Sequence, residues 1–242
     1  MLDDLLQHLG LSALSLKGFG PILMLGTWMT IKLAILSLAV SILLGLIGAS
    51  AKLSSVKFFR IPAQIYTTLI RGVPDLVLML LIFYSLQTWL SNLTDAMDWD
   101  YIEIDPFASG VITLGFIYGA YFTETFRGAI LAVPRGQVEA ATAYGLSRSQ
   151  RFRLVVFPQM MRYALPGLGN NWMVILKATA LVSIIGLADL VKAAQDAGKS
   201  TYQLFYFLVL AALIYLVITS ASNWVLRWAE RRYSAGTREA VR

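Results

Sequence analysis

Few side chains in this sequence are reactive. There is no cysteine and a single histidine, His8, so thiolate or imidazole clusters for a metal and nucleophile–base pairs are not expected. Instead, ionisable residues sit inside apolar sequence: Lys32, Asp75, Glu124 and Lys177, with Arg71 and Arg127 nearer the ends of apolar runs. A charge at bilayer depth costs several kcal/mol unless it is paired or wetted, so each needs a reason. Glu124 and Arg127 are three residues apart, the spacing of a local ion pair on one helix face. Alternatively Glu124, with Thr123 or Thr125 beside it, faces a wet cavity and receives an ammonium or guanidinium group; the two readings can coexist. Asp75 follows Pro74 and either adds a second carboxylate or caps the helix that resumes there, with capping expected. Lys177 either meets an acid of a neighbouring subunit or holds Thr179 and nearby carbonyls, with the structural role expected. Lys32 snorkels outward. Asp75 with Glu124 as an intramembrane acid pair is the least implausible enzyme, and it is set aside.

The elements that must position these residues are membrane spans. Of 242 residues, 57% are hydrophobic and 14% charged, with mean hydropathy +0.66, whereas soluble proteins carry roughly 25% charged residues. An all-α integral membrane protein is implied. Crossing a hydrocarbon core of roughly 30 Å takes about 20 apolar helical residues. Five runs qualify: about Ile22–Ala49, Ile61–Leu90, Phe107–Val133, Tyr163–Leu187 and Leu204–Trp228. The second contains Arg71, Gly72, Pro74 and Asp75, which predict a break within it. Acids in MLDDLLQHLG argue against a signal peptide, so the first run is expected to stay as an anchor. The GxxxG pair Gly115 and Gly119 permits close helix approach or is incidental.

Charge placement predicts orientation. Lys52, Lys57 and Arg60 follow the first run, Arg135, Arg148, Arg151 and Arg153 the third, and Arg227, Arg231, Arg232, Arg238 and Arg242 the fifth. Those sides are expected in the cytoplasm, with the N-terminus periplasmic and the C-terminus cytoplasmic. Residues 1–242 read as a single membrane domain, with 135–158 as a cytoplasmic loop inside it.

That loop contains EAATAYGLSRSQRFRLVVFP, Glu139 to Pro158. Helical spacing sets Val138, Ala141 and Tyr144 along one side, and Gly145 falls where a left-handed residue ends a helix. Ser147 with Gln150 forms a capping box that opens a second helix toward Pro158. A helix-turn-helix DNA reader lacks a third helix here and lies too close to a bilayer, so no nucleic acid partner is expected. Contact between the arginines and lipid headgroups would account for the charge but not for the small apolar face beside a Gly elbow. That face predicts a knob for a partner's cleft.

Glu139, Ala140, Ala141, Gly145, Val155, Phe157 and Pro158 resemble the EAA loop of permease subunits of ATP-binding-cassette (ABC) importers. IRGVPDLVLMLLIFY, FIYGAYFTETFRGAILAVPRGQ and NNWMVILKATALVSIIGLADL resemble the polar amino acid branch of that family. RGVPD and AYFTETFRGA are similar to importers of histidine, lysine, arginine and ornithine, and the acid at Asp75 departs from many relatives in favour of cationic substrates.

The resemblance implies a type I (MetI-like) importer permease fold with five transmembrane helices in the bacterial inner membrane. It implies a second, similar permease subunit, a cytoplasmic ABC ATPase dimer and a periplasmic amino acid binding protein as partners, besides membrane lipid. Coupling to the ATPase would fall to Glu139, Ala140, Ala141, Gly145 and Pro158, and the substrate pathway to Asp75, Glu124, Thr123 and Thr125. Arg71, Pro74, Arg127 and Lys177 would serve structure or gating. No metal or cofactor is expected on the chain itself, because ATP and Mg would bind the partner ATPase; the fragment Gly198-Lys199-Ser200 lacks the first glycine of a P-loop, Ala193 standing there. Two alternatives remain: the same architecture carrying another polar amino acid such as glutamine or glutamate, and a secondary transporter driven by an ion gradient.

Overall fold

The structure is a computed structural model that describes Leu16 and residues 18–234. His8, Arg238, Arg242 and the acidic N-terminus lie outside the described residues. The chain is helical: α1 (Gly20–Leu53), α2 (Lys57–Gly72), α3 (Asp75–Ala96), α4 (Pro106–Leu131), α5 (Arg135–Ala143), α6 (Arg148–Arg151), α7 (Phe157–Ala178), α8 (Leu190–Thr201) and α9 (Leu204–Ser234). A π turn, Phe152–Val156, joins α6 to α7, and a 3₁₀ segment, Thr179–Ile185, follows α7.

Among the described residues, four helical stretches are long and apolar enough to cross a membrane: Gly20–Leu53, Asp75–Ala96, Arg148–Ile185 and Leu204–Arg232. The third expected span is α4, whose 26 residues rise about 39 Å. It is the central helix and presents Ser109, Thr113, Gly115, Gly119 and Thr123 to neighbouring helices. It is not among those four stretches, because the small and polar residues it packs against its neighbours lower its hydropathy.

Glycines set the α1–α4 contact. A methyl at Gly45 would stand 2.5 Å from Phe122 Cβ, one at Gly48 would overlap Thr123, and one at Gly115 would overlap Val40. One at Gly119 would come within 2.8 Å of the Tyr66 hydroxyl and 2.9 Å of Leu44 Cβ. The GxxxG pair is therefore used, and used against α1. The Ser41 hydroxyl, which bonds Ser37 O within α1 at 2.7 Å, also reaches Gly115 O across the seam at 3.2 Å.

The second expected run is broken at Val73 and Pro74, as Pro74 dictates. Its first half is not part of a straight span. α2 is a separate amphipathic helix that buries Ala63, Thr67 and Ile70 and exposes Phe58, Phe59, Ile61, Ile65 and Leu69. Little of α3 is covered within the chain: only Leu78, Met79 and Thr94 are buried. The polar connection carrying Asp189, Lys192, Asp196 and Lys199 is also more ordered than its charges suggest, because α8 buries Leu190, Ala193, Ala194 and Ala197 against Leu23 and Phe207.

Candidate functional site

Two features concentrate the chemistry: the elbow between α5 and α6, and a polar cavity bordered by α1, α2 and α4. The elbow is closed by backbone geometry. Gly145 has φ +75°, its N–H bonds Thr142 O at 2.9 Å, and the Leu146 N–H bonds Ala141 O at 3.1 Å. This pair of bonds is the Schellman arrangement that terminates a helix on a left-handed glycine. Ser147 and Gln150 then form the reciprocal capping box, with Ser147 N donating to Gln150 Oε1 at 2.9 Å. Arg151 Nη1 donates to Thr142 Oγ1 at 2.5 Å, tying α6 back onto α5.

Glu139, Ala140 and Gly145 are exposed, and Tyr144 is 88% exposed. Ala141 is buried and Val138 packs on the main core. Contrary to the expected knob of Val138, Ala141 and Tyr144, the first two hold α5 on the bundle and Tyr144 alone of the three projects. The second helix of the loop does not end at Pro158: it continues through the π turn into α7. Pro158 has no N–H for the carbonyl four residues back, and the preceding N–H, of Phe157, reaches five residues back to Phe152 O. The widened turn leaves α6 in helical continuity with the span that follows, and Phe152 and Leu154 stay exposed beside the elbow.

The cavity has a volume of about 540 Å³ and is lined by Lys52, Gln64, Thr67, Thr68, Arg71, Gly72, Glu124 and Arg127. Glu124 occupies its α4 wall. One carboxylate oxygen pairs with Lys52 Nζ and the other accepts from Arg127 Nε at 2.9 Å. Lys52 Nζ also donates to Thr67 Oγ1 at 2.8 Å. The expected local pair with Arg127 is present, within a triad that reaches α1. Thr123 and Thr125 are not brought into the cavity. Thr123 is buried against Gly48 and donates to Gly119 O at 2.8 Å, while Thr125 faces α7, where Asn171 Nδ2 donates to its hydroxyl at 3.1 Å.

Asp75 lies in the first turn of α3, whose N-cap is Pro74, and its side chain caps nothing. The capping expectation is corrected: one oxygen, Oδ2, accepts from the buried Tyr118 hydroxyl at 2.6 Å. The Tyr118 and Tyr121 rings are 5.5 Å apart, and the Arg71 guanidinium stands 5.4 Å from the Tyr121 ring centre. Arg71, Tyr121, Tyr118 and Asp75 thus form a row of contacts across the α2–α3 break. Lys177 is exposed on the last turn of α7, and Thr179 turns instead to Leu176 O at 2.7 Å and the Tyr215 hydroxyl at 3.2 Å; the expected Lys177–Thr179 bond is absent. Lys32 stands 5.8 Å from the Phe107 ring centre.

Two further residues have no local signal in the sequence: Lys52, which follows the first apolar run, and Asp189, which lies in the connection between the fourth and fifth. Asp189 is fully buried at the N-cap of α8, accepts from Lys192 N at 2.9 Å, and has Oδ2 unpartnered. Burial pushes its carboxyl up to about 6, against the opposing pull of backbone N–H donors.

Comparisons with known proteins bear on this geometry. Residues 41–235 match the family described as binding-protein-dependent transport system inner membrane component. The histidine/lysine/arginine/ornithine transport system permease protein HisQ of Salmonella typhimurium is 60% identical over 225 residues, covering 93% of this chain and 99% of the relative. The arginine ABC transporter permease protein ArtQ of Haemophilus influenzae is 40% identical over 206 residues, covering 85% and 90%. A crystal structure of an amino acid ABC transporter with histidines superposes with TM-score 0.74 at 37% identity, covering 88% of this chain and 94% of that one. The inward-facing MetNI methionine ABC transporter shares the fold at 17% identity, TM-score 0.63, over 86% and 96%. A family match across most of the sequence, with relatives this similar over nearly their full length, makes this chain a member of the inner membrane components of binding-protein-dependent transport systems.

Proposed function

We propose that the chain is one of two similar permease subunits of an ATP-driven importer that takes basic L-amino acids, namely histidine, lysine, arginine or ornithine, from a periplasmic binding protein and passes them inward. The observation that carries this reading is the elbow: exposed Glu139, Ala140 and Tyr144 around a left-handed Gly145, continuous through α6 and the π turn with a membrane helix. A rigid knob joined to a span transmits a push without bending. The partner supplying the push is a cytoplasmic ATPase dimer, which also holds ATP and Mg. Arginines on the elbow and after the fifth span support a cytoplasmic placement for both, with the N-terminus outside and five crossings.

The sparse cover of α3 within this chain supports a second permease subunit packed along it. The names of the relatives support a basic amino acid as cargo, and Asp75, with Oδ1 left over from its bond to Tyr118, is the carboxylate assigned to the cargo's cation. In this reading Glu124, with both oxygens engaged by Lys52 and Arg127, positions those cations, while Thr123 and Thr125 set the helix contacts that hold α4. Ala141 and Pro158 shape the knob, and Pro74 fixes the break. The ion-gradient alternative finds no support in this family.

The test is copurification of this chain with its partner permease and ATPase, followed by ATP hydrolysis in proteoliposomes with the loaded binding protein. Stimulation by basic amino acids is expected. Uptake by the permease pair in liposomes lacking any ATPase would contradict the reading.

A further inference from the structure

The charges lining the polar cavity do not suit a cation. Lys52, Arg71 and Arg127 face a single acid, Glu124, and both oxygens of that acid are already engaged, one by Lys52 and one by Arg127 Nε. Three positive groups against one negative leave two positive charges uncompensated among the lining residues. Arg71 makes no ion pair among the described residues and is held only over the face of Tyr121. Arg127 uses Nε for Glu124, which leaves its terminal nitrogens for another acceptor. Thr68 and Gln64 add neutral hydrogen-bonding groups to the wall. A cavity of about 540 Å³ falls in the range of small-molecule sites, roughly 300–1,000 Å³.

We infer that this cavity binds the α-carboxylate of the transported amino acid, with Arg71 and Arg127 as its donors. This rests on the reading of the chain as an amino acid importer subunit and deepens it: the cavity reads the group that all amino acids share, and the cationic side chain is recognised elsewhere. Guanidinium groups suit the task because their paired N–H donors match the two oxygens of a carboxylate. Glu124 acts here as a positioning residue that fixes Arg127 and Lys52. Arg71 stands in the last turn of α2, beside the break at Val73 and Pro74. Its own restraint is a single aromatic face, so it can reorient onto a ligand without abandoning a buried partner.

Arg71 is also the donor that can be removed without stranding an acid. The experiment measures binding of radiolabelled L-arginine to the complex of this chain with its partner permease and ATPase in lipid nanodiscs, without the binding protein, in competition with unlabelled L-arginine or with agmatine, which keeps the guanidinium and lacks the carboxylate. In the wild-type complex agmatine should compete at least about tenfold more weakly, the order expected for losing one charged hydrogen bond. Arg71→Gln should weaken arginine roughly 10- to 100-fold and leave agmatine unchanged, with Arg71→Lys between the two. Equal competition by agmatine in the wild type, unchanged arginine binding by Arg71→Gln, or no arginine binding to the complex would overturn the assignment. The importer reading is checked separately by binding-protein-dependent uptake of arginine; uptake with an equal response to agmatine refutes only the carboxylate site, whereas no uptake of any basic amino acid refutes the reading beneath it.

Discussion

Lys52, in the last turn of α1, forms an ion pair with Glu124, 72 residues away in the middle of the membrane domain. The Lys52 side chain is almost wholly buried, whereas that of Glu124 is 18% exposed on the wall of the polar cavity. Removing the carboxylate leaves Lys52 and Arg127 facing each other across the cavity without an acid between them, at a cost of roughly 1–3 kcal/mol. Glu124→Gln is therefore expected to lower the thermal midpoint of the purified subunit sharply. Lys52→Met combined with Glu124→Gln should recover part of that loss, and additive losses in a double-mutant cycle would show that the pair is not coupled.

The α1–α4 seam makes a sharper packing test. Gly45→Ala places a methyl against Phe122, including its backbone carbon at 3.0 Å, and overpacking of this kind costs roughly 1–3 kcal/mol. Gly128 has nothing within reach of an added methyl, so Gly128→Ala should be neutral or slightly stabilising, since alanine favours helix by about 1 kcal/mol. Thermal midpoints of the two variants, measured side by side, should separate; equal midpoints would contradict the close approach.

Local signals in the sequence reached the elbow and the break but not the long-range pairs. Gly145, Ser147 with Gln150, and Pro74 act through their own backbone and immediate neighbours, so their consequences could be read from spacing alone. The partner of Glu124 on α1 could not, because no spacing rule links Lys52 to a residue on a different helix; only Arg127, three positions along, was in view. Tyr144 was grouped with Val138 and Ala141 by helical period, yet it lies at the helix end, where Gly145 turns the chain and the periodic face stops. Asp189 looked like a solvated acid because nothing local announces that Leu190, Ala193 and Ala194 bury the helix it caps. Each of the five apolar runs is helical, but the second is two helices, and the amphipathic character of α2 was hidden by averaging its hydrophobicity with that of α3.

Asp189 gives a pH signature. Its folded-state pKa, pushed up to about 6 from an ordinary 3.8, means that the folded protein holds this proton more tightly than the unfolded chain does. Its contribution to stability is full below about 3.8 and is lost as the pH rises through about 6. Between pH 7 and pH 5 acidification should therefore relieve the cost of a buried carboxylate, by roughly 1.3 kcal/mol at most. Asp189→Asn keeps an oxygen for the α8 cap and should flatten the difference in thermal midpoint between pH 7 and pH 5; an unchanged pH dependence would show that another group titrates.

Glu139 is exposed and forms no ion pair among the described residues, so reversing its charge should leave folding within about 0.5 kcal/mol of wild type. Glu139→Lys should nevertheless uncouple ATP hydrolysis from uptake. Normal ATP-dependent uptake by a well-folded Glu139→Lys subunit would deny the elbow its role.

The most direct measurement is photo-crosslinking from the elbow itself. With Tyr144 replaced by a benzophenone amino acid, irradiation of sealed membranes should join the subunit to the cytoplasmic ATPase, at a yield that changes when nucleotide is added. Crosslinks confined to the periplasmic binding protein, or none to any ATPase while the transporter remains active, would contradict the account.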